Sequence, residues 1–387
     1  MRKALSFVGR FLARFTALLL AILFLATVVA SLVLLPTEWQ LLNPNLYKRA
    51  LASQNIYEQL PELVGEQMDL VVDDLCEDSD SDACIIKGGP PPYLEHLSKR
   101  DYEEIVSDLL PADWLQEQVE SALDQIFEYI DHDQDLSIVI STEEFSDRVG
   151  GDEGLDAVMR VIRSLPSCTP EEEAELDRFD PHGNIISQLN DIPSCEPSPR
   201  KLQEYQQGYE ETLDDLADDI DDETDLIEWL EDTAEKNDQE APITSDGPLD
   251  SEGRQIVTYA RLGLQLAPVL PVVLLWLLTL LAVRTPRGLT LWWGIPLLLA
   301  SLIGIGVAIA AMPTLEWALE THLLPEVPDY LAPELIDTGL GAGRYIVRTL
   351  ALWVGGLAVL LLVPALGLLI GSILLRRKRR SSAERED

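Results

Sequence analysis

Four apolar runs, residues 15–35, 262–283, 291–313 and 349–375, contain no Asp, Glu, Lys, Arg or His. Each is about as long as the roughly 20 helical residues that cross a hydrocarbon core about 30 Å thick. One such run also suits a buried globular helix; four together, with charge gathered at their ends, predict four transmembrane helices. The chain between the first two runs is the opposite. Residues 36–258 hold 58 of the 67 acids and 13 of the 28 bases, a local charge of about −45 that no bilayer interior accepts. This charge also excludes nucleic acid and anionic lipid surfaces as partners of that stretch, since both are held by clustered Lys and Arg.

The bases set an orientation. Arg2, Lys3, Arg10 and Arg14 precede the first run, Arg284 and Arg287 lie between the second and third, and residues 376–380 read RRKRR. With four spans all three groups fall on one side, and Lys/Arg-rich short segments stay cytoplasmic. The expected arrangement is a cytoplasmic N-terminus (1–14), a first span (15–35) stopped by Pro36, and an acidic extracytoplasmic domain (36–258). A second span (262–283), a cytoplasmic turn (284–290), a third span (291–313) and an extracytoplasmic loop (314–348) follow, then a fourth span (349–375) and a basic cytoplasmic tail (376–387). The membrane is then a cell membrane. A basic start before an apolar run also fits a secretory signal, with Val28-Val29-Ala30 resembling a cleavage site; the length of the run favours an anchor.

The fold class expected is all-α: four transmembrane helices plus a mainly helical outer domain. Apolar residues recur at helical spacing from Leu46 to Leu75, with Pro61 as a kink. Ser98 is an N-cap for a helix through Leu110, and Pro111 opens the next, striped by Trp114, Leu115, Val119, Leu123, Ile126, Phe127 and Ile130. Residues 136–140 form the one strand expected. Helices are expected at 152–164, 170–178 and 200–217, and from about residue 250 into the second span, kinked by Pro268 and Pro271. The acid-dense run at 211–232 reads as a solvated helical face, and 236–252 as a polar linker.

All four cysteines, Cys76, Cys84, Cys168 and Cys195, fall in the acidic stretch. Outside the cytoplasm they favour disulfides over zinc, which lacks a CxxC pair or a nearby His. Sequence proximity favours Cys76–Cys84 and Cys168–Cys195 among three connectivities. Asp131, Asp133 and Asp135 imitate the start of a calcium loop, but Leu136 replaces the glycine needed for its turn and Thr142 stands where a bidentate Glu belongs. A helix end followed by a polar turn explains them better. The carboxylates clustered at 211–232 could instead hold divalent cations weakly, with a solvated face the preferred reading.

No HExxH, GxSxG, phosphate-loop or CxxC redox pattern occurs. Neither a cofactor nor a catalytic residue is assigned. GLGAG at 339–343 follows no strand and reads as a flexible lead-in to the fourth span. Gly367 and Gly371 make a GxxxG, and Ala300, Gly304 and Ala308 repeat small residues every four positions; both suit close helix packing within the set or, alternatively, self-association. The uncharged spans argue against a proton- or ion-coupled transporter.

NPNLYKRALASQNIYEQLPEL (43–63), LLPADWLQEQVESALDQIFEYI (109–130), LPSCTP (165–170) and IPSCEP (192–197) together resemble bacterial multi-pass membrane proteins that carry one large, cysteine-containing extracytoplasmic domain after the first span. The resemblance implies a bacterial cell membrane and brings no catalytic residues. The function expected is a non-enzymatic envelope interaction, sensing or scaffolding role, with the bilayer and an envelope protein as partners. The alternative is a channel or permease component, and after it an outside-facing hydrolase.

Overall fold

The computed structural model describes residues 2–77, 96–132, 136–176, 195–236, 251–282, 286–327 and 331–383. In chain order its helices are α1 (Arg2–Leu41), α2 (Pro44–Ser53), α3 (Ile56–Glu77), α4 (Lys99–Leu109), α5 (Ala112–Asp131), α6 (Glu143–Gly150) and α7 (Asp152–Ser164). Then come α8 (Pro170–Glu175), α9 (Pro199–Asp218), α10 (Leu226–Lys236), α11 (Ser251–Leu266), α12 (Val269–Ala282), α13 (Pro286–Ala318) and α14 (Pro333–Ala383). Strands β1 (Val139–Ser141) and β2 (Glu223–Asp225) pair antiparallel, Val139 facing Asp225. The all-α expectation holds. The chain forms two units: Met1–Tyr47, Leu249–Pro325 and Gly343–Asp387 make the first, Lys48–Pro248 and Glu326–Ala342 the second.

Among the described residues, three helical stretches are long and apolar enough to cross a membrane: Leu18–Leu41, Trp292–Leu323 and Pro333–Leu374. The expected second span, at 262–283, is corrected. It is a pair, Tyr259–Leu266 and Val269–Leu280, bent by 41° at the break, and the number of spans is four only if that pair counts as one. The cause is two prolines three residues apart. Each lacks the N–H that would close a helical bond to the carbonyl four residues earlier, which orphans the oxygens of Leu264 and Ala267. The Ala267 N–H turns back onto the Leu264 oxygen at 3.2 Å, and the Ser31 hydroxyl of α1 reaches the Ala267 oxygen at 2.9 Å.

Proline does not stop α1 as expected. The helix runs through Pro36 to Leu41, and Thr37 Oγ1 bonds back to the Val33 oxygen at 2.8 Å. Phe24, Val28 and Leu32, spaced four apart on one face, are buried with Leu274, Ala300 and Ala358. Small residues let the helices close up. A Cβ on Gly304 would lie 2.9 Å from Ala358 Cβ, and one on Gly355 would lie 3.3 Å from Ala308 Cβ. The 300/304/308 stripe is therefore packed internally, whereas Gly367 and Gly371 have nothing within 4 Å of a would-be Cβ.

The second unit is built on a core of Val149, Leu155, Met159, Ile162, Tyr205, Tyr209 and Leu213, where α6, α7 and α9 meet. Helix α7 matches the expected range of 152–164, and α9 comes within a residue of it at either end. Ser98 caps α4 in a reciprocal box with Asp101. Two expectations fail. The helical stretch expected from Leu46 to Leu75 is broken between α2 and α3 at Asn55, in the left-handed region at φ 51°, which Asn tolerates better than most residues; Pro61, expected as a kink, lies inside α3. The acidic run at 211–232 is not one helix, because β2 interrupts it. The free edge of β1 is satisfied by α5: Gln125 donates to the Val139 oxygen and accepts its N–H, both at 2.8 Å, and Gln118 accepts the Ser141 N–H at 2.9 Å. These glutamines, seven apart on one face, act as a third strand.

Candidate functional site

Two constellations gather polar side chains from distant parts of the sequence, one in each unit. In the second unit the starting point is Gly65. A Cβ there would lie 2.9 Å from the Lys99 oxygen and 2.8 Å from Glu103 Cγ, so only glycine lets α3 approach α4 so closely. The approach sets Lys99 Nζ 3.3 Å from Glu66 Oε2. The next residue, Gln67, accepts the N–H of fully buried Ala332 at 3.0 Å. Glu66 itself hydrogen-bonds Glu334 in the first turn of α14. Two turns further along, a Cβ on Gly341 would collide with Gln54 Oε1. The start of α14 is thus fastened to α3 at two points, Gln67–Ala332 and Glu66–Glu334, with Gln54 close against Gly341.

Two carboxyl groups can bond to each other only if one keeps a proton. Of the two, Glu66 holds its proton to the higher pH: the bond to Glu334 and its burial push its carboxyl above the ordinary glutamate range, against the pull of the Lys99 ammonium. Lys99 is held charged, its burial outweighed by the carboxylates of Glu66, Glu103 and Glu62. GLGAG is corrected accordingly. Residues 339–343 are helical, inside α14, because the helix that carries the last apolar stretch already begins at Pro333.

In the first unit, Glu38 lies near the C-terminal end of α1 with only 7% of its surface exposed. Its Oε1 accepts from Gln265 Nε2 at 3.1 Å and lies 3.9 Å from Arg261 Nε, both on α11. Its Oε2 is buried with no hydrogen-bond partner among the described residues. One turn back along α1 opens an apolar cavity of about 360 Å³, lined by Ser31, Leu35, Pro268, Pro271 and Val272 among others. Ser31 has one proton between two acceptors, the Thr27 oxygen at 2.8 Å and the Ala267 oxygen at 2.9 Å.

The residues singled out by sequence fare unevenly. Cys168 and Cys195 are joined, with Ser167 and Glu196 bridged beside them. Cys76 ends α3 with its side chain outside the described residues, and Cys84 lies outside them altogether. Asp131 ends α5, as a helix end should; Asp133 and Asp135 are likewise outside the described residues, as is 237–250 of the expected linker. Among the described residues no three His, Cys, Asp or Glu side chains gather as a metal site. Glu38, Glu66, Gln67, Arg261, Gln265 and Glu334 were not foreseen. Their partners are up to 265 positions away, and no local pattern marks them.

The fold defines a class: an all-α protein whose apolar helices suit a multi-pass membrane protein, joined to a disulfide-containing helical unit. Comparison with protein-family profiles, with curated proteins and with solved structures finds no match.

Proposed function

We propose that the protein is a non-enzymatic sensing and interaction protein of a bacterial cell membrane, with both termini in the cytoplasm and the acidic second unit outside. The observation that carries this reading is the fastening of α14 to the α2–α3 region through Gln67–Ala332 and Glu66–Glu334. α14 starts in the second unit, and its later residues supply an apolar membrane-length stretch and the basic end of the chain. A partner that strains or relaxes the fastening therefore acts directly on a membrane helix, which short cytoplasmic segments would need for relay. The exposed Trp229, at 56% of its surface, sits on α10 among Glu228, Glu231 and Asp232. An accessible Trp in a carboxylate field suits a partner that offers an apolar pocket rimmed by Lys or Arg.

The test is a photo-crosslinking amino acid at position 229 of the full chain in growing cells, alongside an enzyme reporter fused near residue 220. A discrete crosslinked envelope protein and a reporter active only outside the cytosol are expected. A reporter active only in the cytosol, or no crosslinked product, would overturn the proposal.

A further inference from the structure

We propose that the outer edge of β2 takes up an extended basic segment of a partner protein as an added third strand. The proposal deepens the interaction reading by giving the form of the partner's contact, and it rests on that reading for the partner's existence. Its basis is backbone geometry within the second unit.

Residues along an antiparallel pair turn their N–H and C=O groups alternately toward the neighbouring strand and away from it. The register here pairs Ile140 with Thr224. The Leu226 N–H reaches the Ile138 oxygen at 2.9 Å, and the Thr142 N–H reaches the Asp222 oxygen at 2.8 Å. Residues 222, 224 and 226 therefore face β1, and Glu223 and Asp225 turn their backbone groups outward. Val139 and Ser141 do the same on the opposite side, and there every group is served. Gln125 meets both groups of Val139, Gln118 accepts the Ser141 N–H, and the Trp114 indole donates to the Ser141 oxygen at 3.1 Å.

The β2 edge is left open. The Asp225 oxygen opens α10, which begins at the next residue. The Glu223 N–H, the Glu223 oxygen and the Asp225 N–H bond nothing among the described residues. Glu223 is exposed, and Thr224 and Asp225 are partly buried. A donor, an acceptor and a second donor in a row are what an antiparallel strand completes. One of its residues exchanges both bonds with Glu223, and the residue two places earlier gives its oxygen to the Asp225 N–H.

Charge decides the occupant. Nine acids and no Lys, Arg or His lie between Asp218 and Asp232. A second copy of this chain would set acid against acid across the new pair, and like charges directly opposite are destabilising. A strand with Lys or Arg at alternate positions brings the complementary charge.

The experiment uses the full-length protein in uncharged micelles and a fluorescent peptide that alternates Lys and Val. Binding is read by anisotropy, and exchange of single amides by mass spectrometry. Saturating peptide is expected to slow the Glu223 and Asp225 amides by about tenfold or more, the scale of a backbone hydrogen bond. The same peptide methylated at every backbone nitrogen keeps its charge and loses its donors, and is expected to bind about tenfold more weakly. Glu223→Pro removes an N–H that the ladder does not use and is expected to weaken binding about tenfold, with α7 and α9 still protected. Glu223→Gln keeps the backbone and should stay within about threefold of wild type. Amides at 223 and 225 that do not slow, or a methylated peptide that binds as tightly, would overturn the proposal, as would unchanged binding by a folded Glu223→Pro. If Glu223→Pro loses its core protection, the methylated peptide on wild-type protein decides alone. Absence of any peptide binding would also overturn it, while leaving the interaction reading to the crosslink at position 229.

Discussion

The Cys168–Cys195 bond joins the end of one core helix to the start of another, so cutting it should loosen the second unit by a calculable amount. Helix α7 ends at Ser164 and α9 begins at Pro199, and between them the bond closes a loop with a sequence separation of 27. The chain-entropy relation puts the stabilisation from closing a loop of that size at about 3.5 kcal/mol. Most of the native contacts there do not depend on sulfur. The Cys168 N–H bonds the Glu196 oxygen at 3.0 Å and the Glu196 N–H bonds the Pro166 oxygen at 2.8 Å. The double variant Cys168→Ala/Cys195→Ala should therefore keep the native arrangement and lose the constraint on the unfolded chain. Hydrogen exchange of the full-length protein in micelles reads this directly, because Met159, Ile162, Tyr205 and Tyr209 anchor the α7 and α9 peptides in one core whose slowest amides open with the whole unit. Their protection should fall by roughly 300-fold, at about 1.4 kcal/mol for each tenfold. A fall of less than about threefold, with α7 and α9 still helical, would refute the loop-closure reasoning.

Two further outcomes follow from close contacts. A Cβ on Gly154 would collide with the Val149 oxygen and lie 2.7 Å from its carbonyl carbon, all backbone atoms that no rotamer can move; Gly154→Ala should destabilise the second unit by about 3 kcal/mol in thermal unfolding, and an unchanged midpoint would refute the reading of the α6–α7 turn. Glu66 has a raised carboxyl in the folded chain, so its contribution to docking residues 331–342 is complete below the ordinary glutamate range and is lost as pH climbs through the raised value. Exchange of the 331–342 peptide, corrected for intrinsic rate, should accelerate across that window in the wild type; in Glu66→Gln, whose amide donates to Glu334 at any pH, it should not, and identical pH profiles would sink the assignment of the proton.

Local pattern made much of the second unit legible and distant pairing hid the rest. Helix α7 was readable because Leu155, Met159 and Ile162 repeat at helical spacing, and Ser98 and Pro111 mark helix starts by chemistry that acts within one turn. The Cys168–Cys195 disulfide was readable from the gathering of all four cysteines in one stretch and from their proximity. Strand β2 was not, since Glu223, Thr224 and Asp225 have little preference for a strand and are held in one by pairing with β1. The break between α2 and α3 had no signal as loud as proline, since it rests on Asn55 taking the left-handed conformation. For the candidate sites the difficulty is of another kind. Glu38 finds Gln265 across 227 positions and Gln67 finds Ala332 across 265, and a buried carboxylate looks in sequence like any other acid in a chain with 67 of them.

The first apolar helix is a working part of the packed unit and not only a tether. In a bilayer every backbone acceptor needs a partner from the protein itself, and the break between α11 and α12 creates two that their own helix cannot serve in the usual way. One is met locally, by the Ala267 N–H on the Leu264 oxygen. The other depends on α1, through the Ser31 hydroxyl. The same helix face supplies Phe24, Val28 and Leu32 to the core and, two turns beyond Ser31, the buried carboxylate of Glu38. A cut after Ala30 would take Phe24 and Val28 from that core and leave Ser31 at a frayed end. The bend of the second apolar segment and the position of α1 are therefore one structural decision: the prolines break the helix, and α1 supplies the donor that the Ala267 oxygen has lost.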